Sequence, residues 1–230
     1  MTLHLSEIRS DFKSTPVSLQ NPAKPQPIHT FYGKHLKRAL DVTLVLLSLP
    51  IVLPLMALCA VLLLLSGSRP FYSQPRVGRN GEHFQIWKLR TMVHDADETL
   101  DCYLEQNPAA RLEWDATQKL RNDPRITKLG RLLRKTSLDE LPQLLNVLNG
   151  SMALVGPRPM LVAQQSKYPS QTYYTMRPGI TGLWQVSDRN DCSFAHRAAY
   201  DDAYYQSISF KTDLKILLKT INVVLKATGH

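Results

Sequence analysis

Cysteine is scarce: Cys59, Cys102 and Cys192 are the only three in 230 residues, odd in number and far apart. That spacing excludes a disulfide framework and a cysteine-built zinc site, and it fits a soluble part kept in a reducing compartment. Paired histidines are missing too, since the seven in the chain are scattered, which argues against metal ligation by histidine. There is no internal repeat, and no helix-turn-helix, zinc-finger or aromatic RNA-binding signature. Acid is the minority charge: 28 lysines and arginines stand against 19 aspartates and glutamates, a net charge of +9. A balance of that sign suits an anionic lipid surface or a nucleotide, and without a nucleic-acid motif it does not point to DNA or RNA.

Charge of either sign is absent from Val42 to Leu65. About 20 apolar residues suffice to cross a bilayer core as a helix, so the chain is expected to be membrane-bound. A signal peptide does not fit, because the run is too long, starts too far into the chain and has no small-residue cleavage site behind it. Pro50 and Pro54 sit in its middle, where each removes a backbone donor and disturbs a straight helix by ~3 kcal/mol. Basic residues flank both ends, Lys34, Lys37 and Arg38 before and Arg69 and Arg76 after. A spanning helix concentrates them on one side. The expectation is a re-entrant helix that enters one leaflet, breaks at Pro50 or Pro54 and returns; the competing reading is a spanning helix kinked at the prolines.

The pattern predicts an α+β fold, mainly α-helical, in three parts: a flexible N-terminal segment over residues 1–33, a membrane anchor over 34–69, and a domain over 70–230 lying on the membrane surface. Asn80-Gly81 between two β-prone runs predicts a β-hairpin with Phe84 and Ile86 on one face. From Asp95 to Leu120 the pattern is helical, interrupted near Asn107-Pro108. Ile126 to Lys135 reads equally as an interfacial amphipathic helix or a core helix, and Leu214 to Ala227 repeats the amphipathic pattern.

The chemistry concentrates between Leu132 and Pro159. Two adjacent carboxylates, Asp139 and Glu140, stand between two arginines suited to phosphate, Arg134 and Arg158. One short unit thus gathers a nucleophile, a metal ligand and phosphate grips, the equipment of phosphoryl transfer. Ser137-Leu138-Asp139-Glu140 also fits a capping box at the start of a helix running to about Leu148, with Pro142 limiting the first turn. Arg158 lies between two prolines that fix its direction. Arg189 and Asn190 are candidates for phosphate or nucleotide contacts, with turn formation the rival role, and Lys88 and Arg90 before Thr91 are further candidates for phosphate support. Trp114 and Trp184 read as core or interface aromatics rather than stacking platforms, and Asp201, Asp202, Tyr204 and Tyr205 as a helix surface, with a place in the sugar or nucleotide pocket the alternative.

Several segments in this order, KRALD, FYSQPRVGRNGEHFQIWKLRTM, NDPRITKLGRLLRKTSLDELPQLLNVLNG, ALVGPRP and RPGITGLWQVSDRN, resemble the bacterial sugar transferases, the small monotopic polyprenyl-phosphate glycosyl-1-phosphate transferases of the exopolysaccharide type. The resemblance covers about residues 34 to 229. It implies transfer of a sugar 1-phosphate from a UDP-sugar, UDP-galactose or UDP-glucose, to undecaprenyl phosphate, with release of UMP. It implies Asp139 as nucleophile and Mg²⁺ ligand, Glu140 as its support or proton handler, Arg134 on the lipid phosphate and Arg158 on the nucleotide-sugar. All-oxygen ligands favour Mg²⁺ over Zn²⁺. It further implies a place at the cytoplasmic face of the bacterial inner membrane, among its lipids, without nucleic acid, and leaves a homodimer open. The single apolar run matches the small family form without an extra membrane domain. Two departures are visible: Asp188 stands where the family usually has glycine, and Leu53 where a serine usually precedes the breaking proline, the nearest serine being Ser48. A non-catalytic membrane adaptor of polysaccharide assembly is the rival function, and it predicts that Asp139 is replaceable by Asn.

Overall fold

The uncharged run folds as one helix. A π-helical turn at Tyr32–Leu36 leads into α1, Lys37–Leu65, in a computed structural model that describes residues 30–117, 120–187 and 194–225. By length and composition Tyr32–Leu65 is long and apolar enough to cross a membrane, and only 11% of its most apolar window is buried. Helical conformation continues through Pro50 and Pro54. Ser48 Oγ donates to the Val45 carbonyl at 2.7 Å, whereas the carbonyl that loses its donor to Pro50 is that of Leu46.

One stripe of α1 is buried, at Asp41, Val45, Cys59 and Leu63. Val45 packs in a cluster with Ile86, Val147 and Met152, and Cys59 and Leu63 in another with Leu89 and Leu133. The residues ahead of the apolar run lock α1 to distant parts of the chain. Lys37 Nζ pairs with Asp213 at 2.6 Å, a carboxylate that also accepts from Tyr32 and Tyr204 hydroxyls at 2.7 and 2.6 Å. Arg38 donates to the Val147 and Leu148 carbonyls, where a cation complements the negative end of a helix.

The expected hairpin is present. Strands β1, Phe71–Val77, and β2, His83–Leu89, pair antiparallel in unbroken register from Phe71↔Leu89 to Val77↔His83. The reversal needs two left-handed residues, and Asn80 (φ 58°) and Gly81 (φ 79°) supply them. Phe84 and Ile86 point inward into the α1 cluster as expected, and the two-residue period carries Lys88 to that same face. Next come α2, Ala96–Gln106, and α3, Pro108–Thr117, broken at Asn107, with a small core of Leu100, Leu104 and Ala110 that Trp114 covers. Helix α4, Lys128–Lys135, is capped by Thr127, whose hydroxyl accepts from the Gly130 amide at 2.9 Å. Its two readings each describe one face, since Leu133 is buried while Leu132 is exposed. A Cβ at Gly130 would stand 2.0 Å from the Thr91 carbonyl oxygen, so only glycine lets α4 lie against the chain leaving β2.

Helix α5, Gln143–Asn149, precedes the parallel pair of β3, Ala153–Val155, and β4, Gly179–Thr181. Helices α6, Phe194–Gln206, and α7, Phe210–Leu225, close a core of Val155, Met176, Leu183, Tyr204, Ile208 and Ile216. The fold is α+β and mainly helical, in line with the sequence.

Asn146 joins α5 to β2. Its side chain accepts from the Trp87 amide at 3.0 Å and donates to the Gln85 carbonyl at 2.8 Å, imitating a neighbouring strand. Asn146→Ala would leave both backbone groups unpaired beside a residue only 1% exposed, so it should lower the unfolding free energy by about 2–3 kcal/mol. Equilibrium unfolding in detergent measures this, and a loss below about 0.5 kcal/mol, the size of an ordinary surface change, would contradict it.

Candidate active site

A tight reversal builds the site. Helix α4 ends at Lys135 with Arg134 in its last turn. Ser137 then adopts a left-handed φ of 58°, and Leu138–Glu140 forms one 3-10 turn before α5 begins beyond Pro142. The capping box expected at Ser137 and Glu140 does not form. A capping serine is extended and bonds the helix amides, whereas Ser137 is left-handed and makes no such bond. Glu140 turns its carboxylate away from the backbone, to Lys88 Nζ at 2.8 Å and Arg158 Nη2 at 3.5 Å.

Asp139 is placed differently. It is 8% exposed, stands 3.9 Å from Lys88 Nζ, and among the described residues its carboxylate accepts no hydrogen bond. Burial is the main force that pushes its pKa above the ordinary aspartate value; Lys88 opposes the shift, the Glu140 charge adds to it, and Arg134 and Arg158 oppose it further. Arg134 is itself half-buried and held by its Nε, which donates to Thr91 Oγ1 at 2.8 Å. The turn thus offers one pinned carboxylate and one unbonded carboxylate in a ring of three cations. A desolvated carboxylate among cations can attack an electrophilic phosphorus without a base to activate it, provided the anionic substrate's charge is offset.

Arg158 arrives from the other side, three residues past β3. A Cβ on Gly156 would lie 2.4 Å from the Arg177 carbonyl oxygen, so the strand passes close to the Arg177–Gly179 backbone before Pro157 and Pro159 fix the loop. Behind Arg158 lies a cavity of ≈130 Å³ lined by Arg76, Met160, Tyr168, Trp184 and Asp201 among others. Trp184 is buried and carries the Arg197 guanidinium 4.3 Å from its ring centroid. Asp201 and Tyr204 are 7% and 2% exposed, so α6 turns them inward rather than onto a helix surface, and Asp201 lines the cavity. The Tyr168 hydroxyl donates to Asp201, and the Ser170 and Thr172 hydroxyls to Asp202.

Burial pushes the Asp201 carboxyl up to about 7, with Tyr168 and Arg197 opposing and Asp202 adding to the shift. A carboxyl whose pKa is raised on folding stabilises fully below its unfolded value, about 4, and that contribution is lost as pH rises through about 7. Asp201→Asn removes this loss. Its melting temperature relative to wild type should climb between about pH 4 and about pH 8, as differential scanning fluorimetry would record; a difference independent of pH would refute the assignment.

The structure brings Asp139, Glu140, Arg134 and Arg158 to one site, as the sequence expects. Of the two further candidates, Lys88 comes to the centre beside both carboxylates, while Arg90 goes elsewhere, to the Arg69 carbonyl and the Tyr72 ring, and Thr91 holds Arg134. Pro50 and Pro54 lie in α1, and Arg189 and Asn190 fall outside the described residues. Sequence reasoning missed Arg76 and Asn146; the alternation Phe84, Ile86, Lys88 was the available signal for Lys88.

The family model for Bacterial sugar transferase matches residues 32–227. The UDP-galactose-lipid carrier transferase of Erwinia amylovora is 46% identical over 199 residues, which are 86% of this chain and 42% of the relative. Exopolysaccharide production protein ExoY of Rhizobium meliloti (strain 1021) is 46% identical over 200 residues, 86% of this chain and 88% of the relative. The undecaprenyl-phosphate galactose phosphotransferase of Salmonella typhimurium is 45% identical over 199 residues, covering 86% of this chain and 42% of the relative. The chain therefore spans about four-tenths of the length of the first and third of these relatives.

Proposed function

The chain belongs to the bacterial sugar transferase family, and from that premise we propose that it transfers a sugar 1-phosphate from a UDP-sugar, UDP-galactose or UDP-glucose, to undecaprenyl phosphate. The reaction is the first step of exopolysaccharide biosynthesis, at the cytoplasmic face of the bacterial inner membrane. One observation carries the reading: Asp139 is a buried carboxylate that accepts no hydrogen bond among the described residues and is ringed by Lys88, Arg134 and Arg158. A carboxylate kept only for structure would be bonded, as Asp213 is.

An Asp139 oxygen attacks the sugar-bearing phosphorus of the donor, the bond from that phosphorus to the bridging oxygen breaks, and UMP leaves with the electron pair. A lipid phosphate oxygen then attacks the same phosphorus and releases the Asp139 carboxylate, so the kinetics are ping-pong. Arg158 binds the donor and Arg134 the lipid phosphate, while Lys88 and Glu140 hold the turn's charges in place. Among the described residues no group of three or more His, Cys, Asp or Glu side chains is placed to hold a metal ion. Asp139 with Glu140 beside it suits a cation that draws its other ligands from substrate phosphates and water, as Mg²⁺ does. When bound, Mg²⁺ would offset the repulsion between the donor diphosphate and the carboxylate.

The re-entrant anchor is part of the same proposal. Val45 and Leu63 would be about 27 Å apart on a straight helix, yet they belong to clusters containing Ile86 and Leu89, residues about 10 Å apart along one strand. Between them Leu46, Leu47, Ile51, Leu53 and Leu58 are exposed. Packing at both ends with an apolar, exposed middle supports a helix that bends back near its prolines.

The test is UMP release by the purified protein from UDP-galactose and UDP-glucose, with and without undecaprenyl phosphate and Mg²⁺. Sustained release from one donor that depends on both additions is expected. Absence of release with every UDP-sugar would return weight to the membrane adaptor.

A further inference from the structure

Arg76 is a half-buried cation that makes no ion pair among the described residues. Its backbone is fixed: the Val77 amide donates to the Met160 carbonyl at 3.1 Å, and Arg76 itself forms an antiparallel bridge with Leu161. The end of β1 is therefore stitched to the chain just past Arg158. Among the described residues the guanidinium donates to neutral acceptors, the Pro159 carbonyl at 3.3 Å and Gln74 Oε1 at 2.8 Å. Its Nε is buried without a hydrogen-bond partner, and among the described residues no carboxylate lies within ion-pair distance. Asp201, on the same cavity wall, is engaged by Tyr168.

Such a group is costly unless something pairs it. Burial, with the like charge of Arg158 acting in the same direction, lowers the Arg76 pKa to about 10. Arg158 faces the same cavity and is 43% exposed at its side chain, with Glu140 at 3.5 Å on its other flank. Two adjacent guanidinia with spare donors would repel unless an anion joined them, and a guanidinium fork matches phosphate oxygens two at a time. The cavity's ≈130 Å³ leaves room for a phosphoryl group.

We propose that Arg76 and Arg158 form a clamp for the phosphate that leaves with the nucleoside, so that Arg76 binds the nucleoside monophosphate product and the donor phosphate that becomes it. The order of charges along the site gives the direction: Asp139 and Lys88, then Glu140, then Arg158, then Arg76. The attacked, sugar-bearing phosphorus belongs at the Asp139 end, and the second phosphate of the donor belongs at Arg76. As the bond to the bridging oxygen breaks, charge collects on that second phosphate, where the clamp receives it. The inference rests on the proposed function, since it assumes a nucleoside diphosphate-sugar as donor.

The experiment is calorimetric titration of UMP and of uridine into the full-length protein in nanodiscs, for wild type, Arg76→Gln and Arg76→Lys. Wild type should bind UMP more tightly than uridine. Arg76→Gln should weaken UMP binding by roughly 10- to 100-fold, one charge-assisted interaction, while leaving uridine unchanged, and Arg76→Lys should lose roughly tenfold because the charge survives but the fork does not. Melting temperatures of the unliganded variants identify misfolding, and should Arg76→Gln fail to fold, Arg76→Lys alone decides. Wild-type UMP affinity in a folded variant overturns the clamp while leaving the transferase reading intact. Failure of the wild-type protein to bind UMP at all overturns both.

Discussion

Asp139→Asn is expected to lower the rate of UMP release by about 10⁴-fold or more, the scale on which removal of a covalent nucleophile acts, while the protein stays folded. The amide is the same size as the carboxylate and no longer nucleophilic at phosphorus. It has no hydrogen bond to lose, because Asp139 has none among the described residues, and it removes a buried charge whose ionisation folding disfavours. The variant should therefore melt no lower than wild type near neutral pH. Steady-state UMP release and a melting curve on the same preparation check both halves. Activity within about tenfold of wild type would exclude Asp139 as nucleophile, and a collapsed melting temperature would show that the residue serves the fold.

Lys88→Ala should have the second largest effect. Lys88 is the cation nearest to both carboxylates, at 2.8 Å from Glu140 and 3.9 Å from Asp139. Without it Glu140 loses its 2.8 Å ion pair, and the Glu140 charge acts on Asp139 with less compensation, which favours the protonated and unreactive acid. Removal of one preorganised charge partner costs about 10²–10³-fold in kcat, so a fall of that size in UMP release is expected. The direction of the pH effect follows from the same balance. Because Lys88 holds the Asp139 pKa down, the variant's rate should reach its plateau at a higher pH than wild type. A fall smaller than about threefold, with an unchanged pH profile, would reduce Lys88 to a structural ion pair.

Local features were legible where one physical cause dominates. Asn80-Gly81 closes the hairpin because a tight reversal needs left-handed residues, and the helices break at Asn107 because Pro108 opens a helix more readily than it continues one. The pairing of Asp139 and Glu140 with Arg134 and Arg158 was legible because the four lie in a span of 25 residues. Ser137 was misread because Ser-x-x-Glu satisfies the spacing of a capping box, while Pro142 and the need to reverse after α4 govern the backbone. Lys88, Asn146 and Arg76 depend on partners from 52 to 85 residues away. No local pattern encodes those meetings. Lys37 and Arg38, conspicuous only as basic residues before an apolar run, turn out to tie α1 to Asp213 and to the end of α5, across 176 and 110 positions.

The central claim is that Asp139 carries the sugar phosphate between donor and lipid, and the most direct measurement omits the lipid. The full-length protein in nanodiscs is incubated with the UDP-sugar that supports turnover and Mg²⁺, quenched, digested, and examined by mass spectrometry. A burst of UMP no larger than the amount of enzyme is expected, with a sugar-phosphoryl mass increment on the peptide containing Asp139; adding undecaprenyl phosphate should discharge the increment and let UMP release continue. A peptide that stays unmodified, with UMP appearing only when the lipid phosphate is present, would mean direct transfer between the two substrates and would contradict that claim.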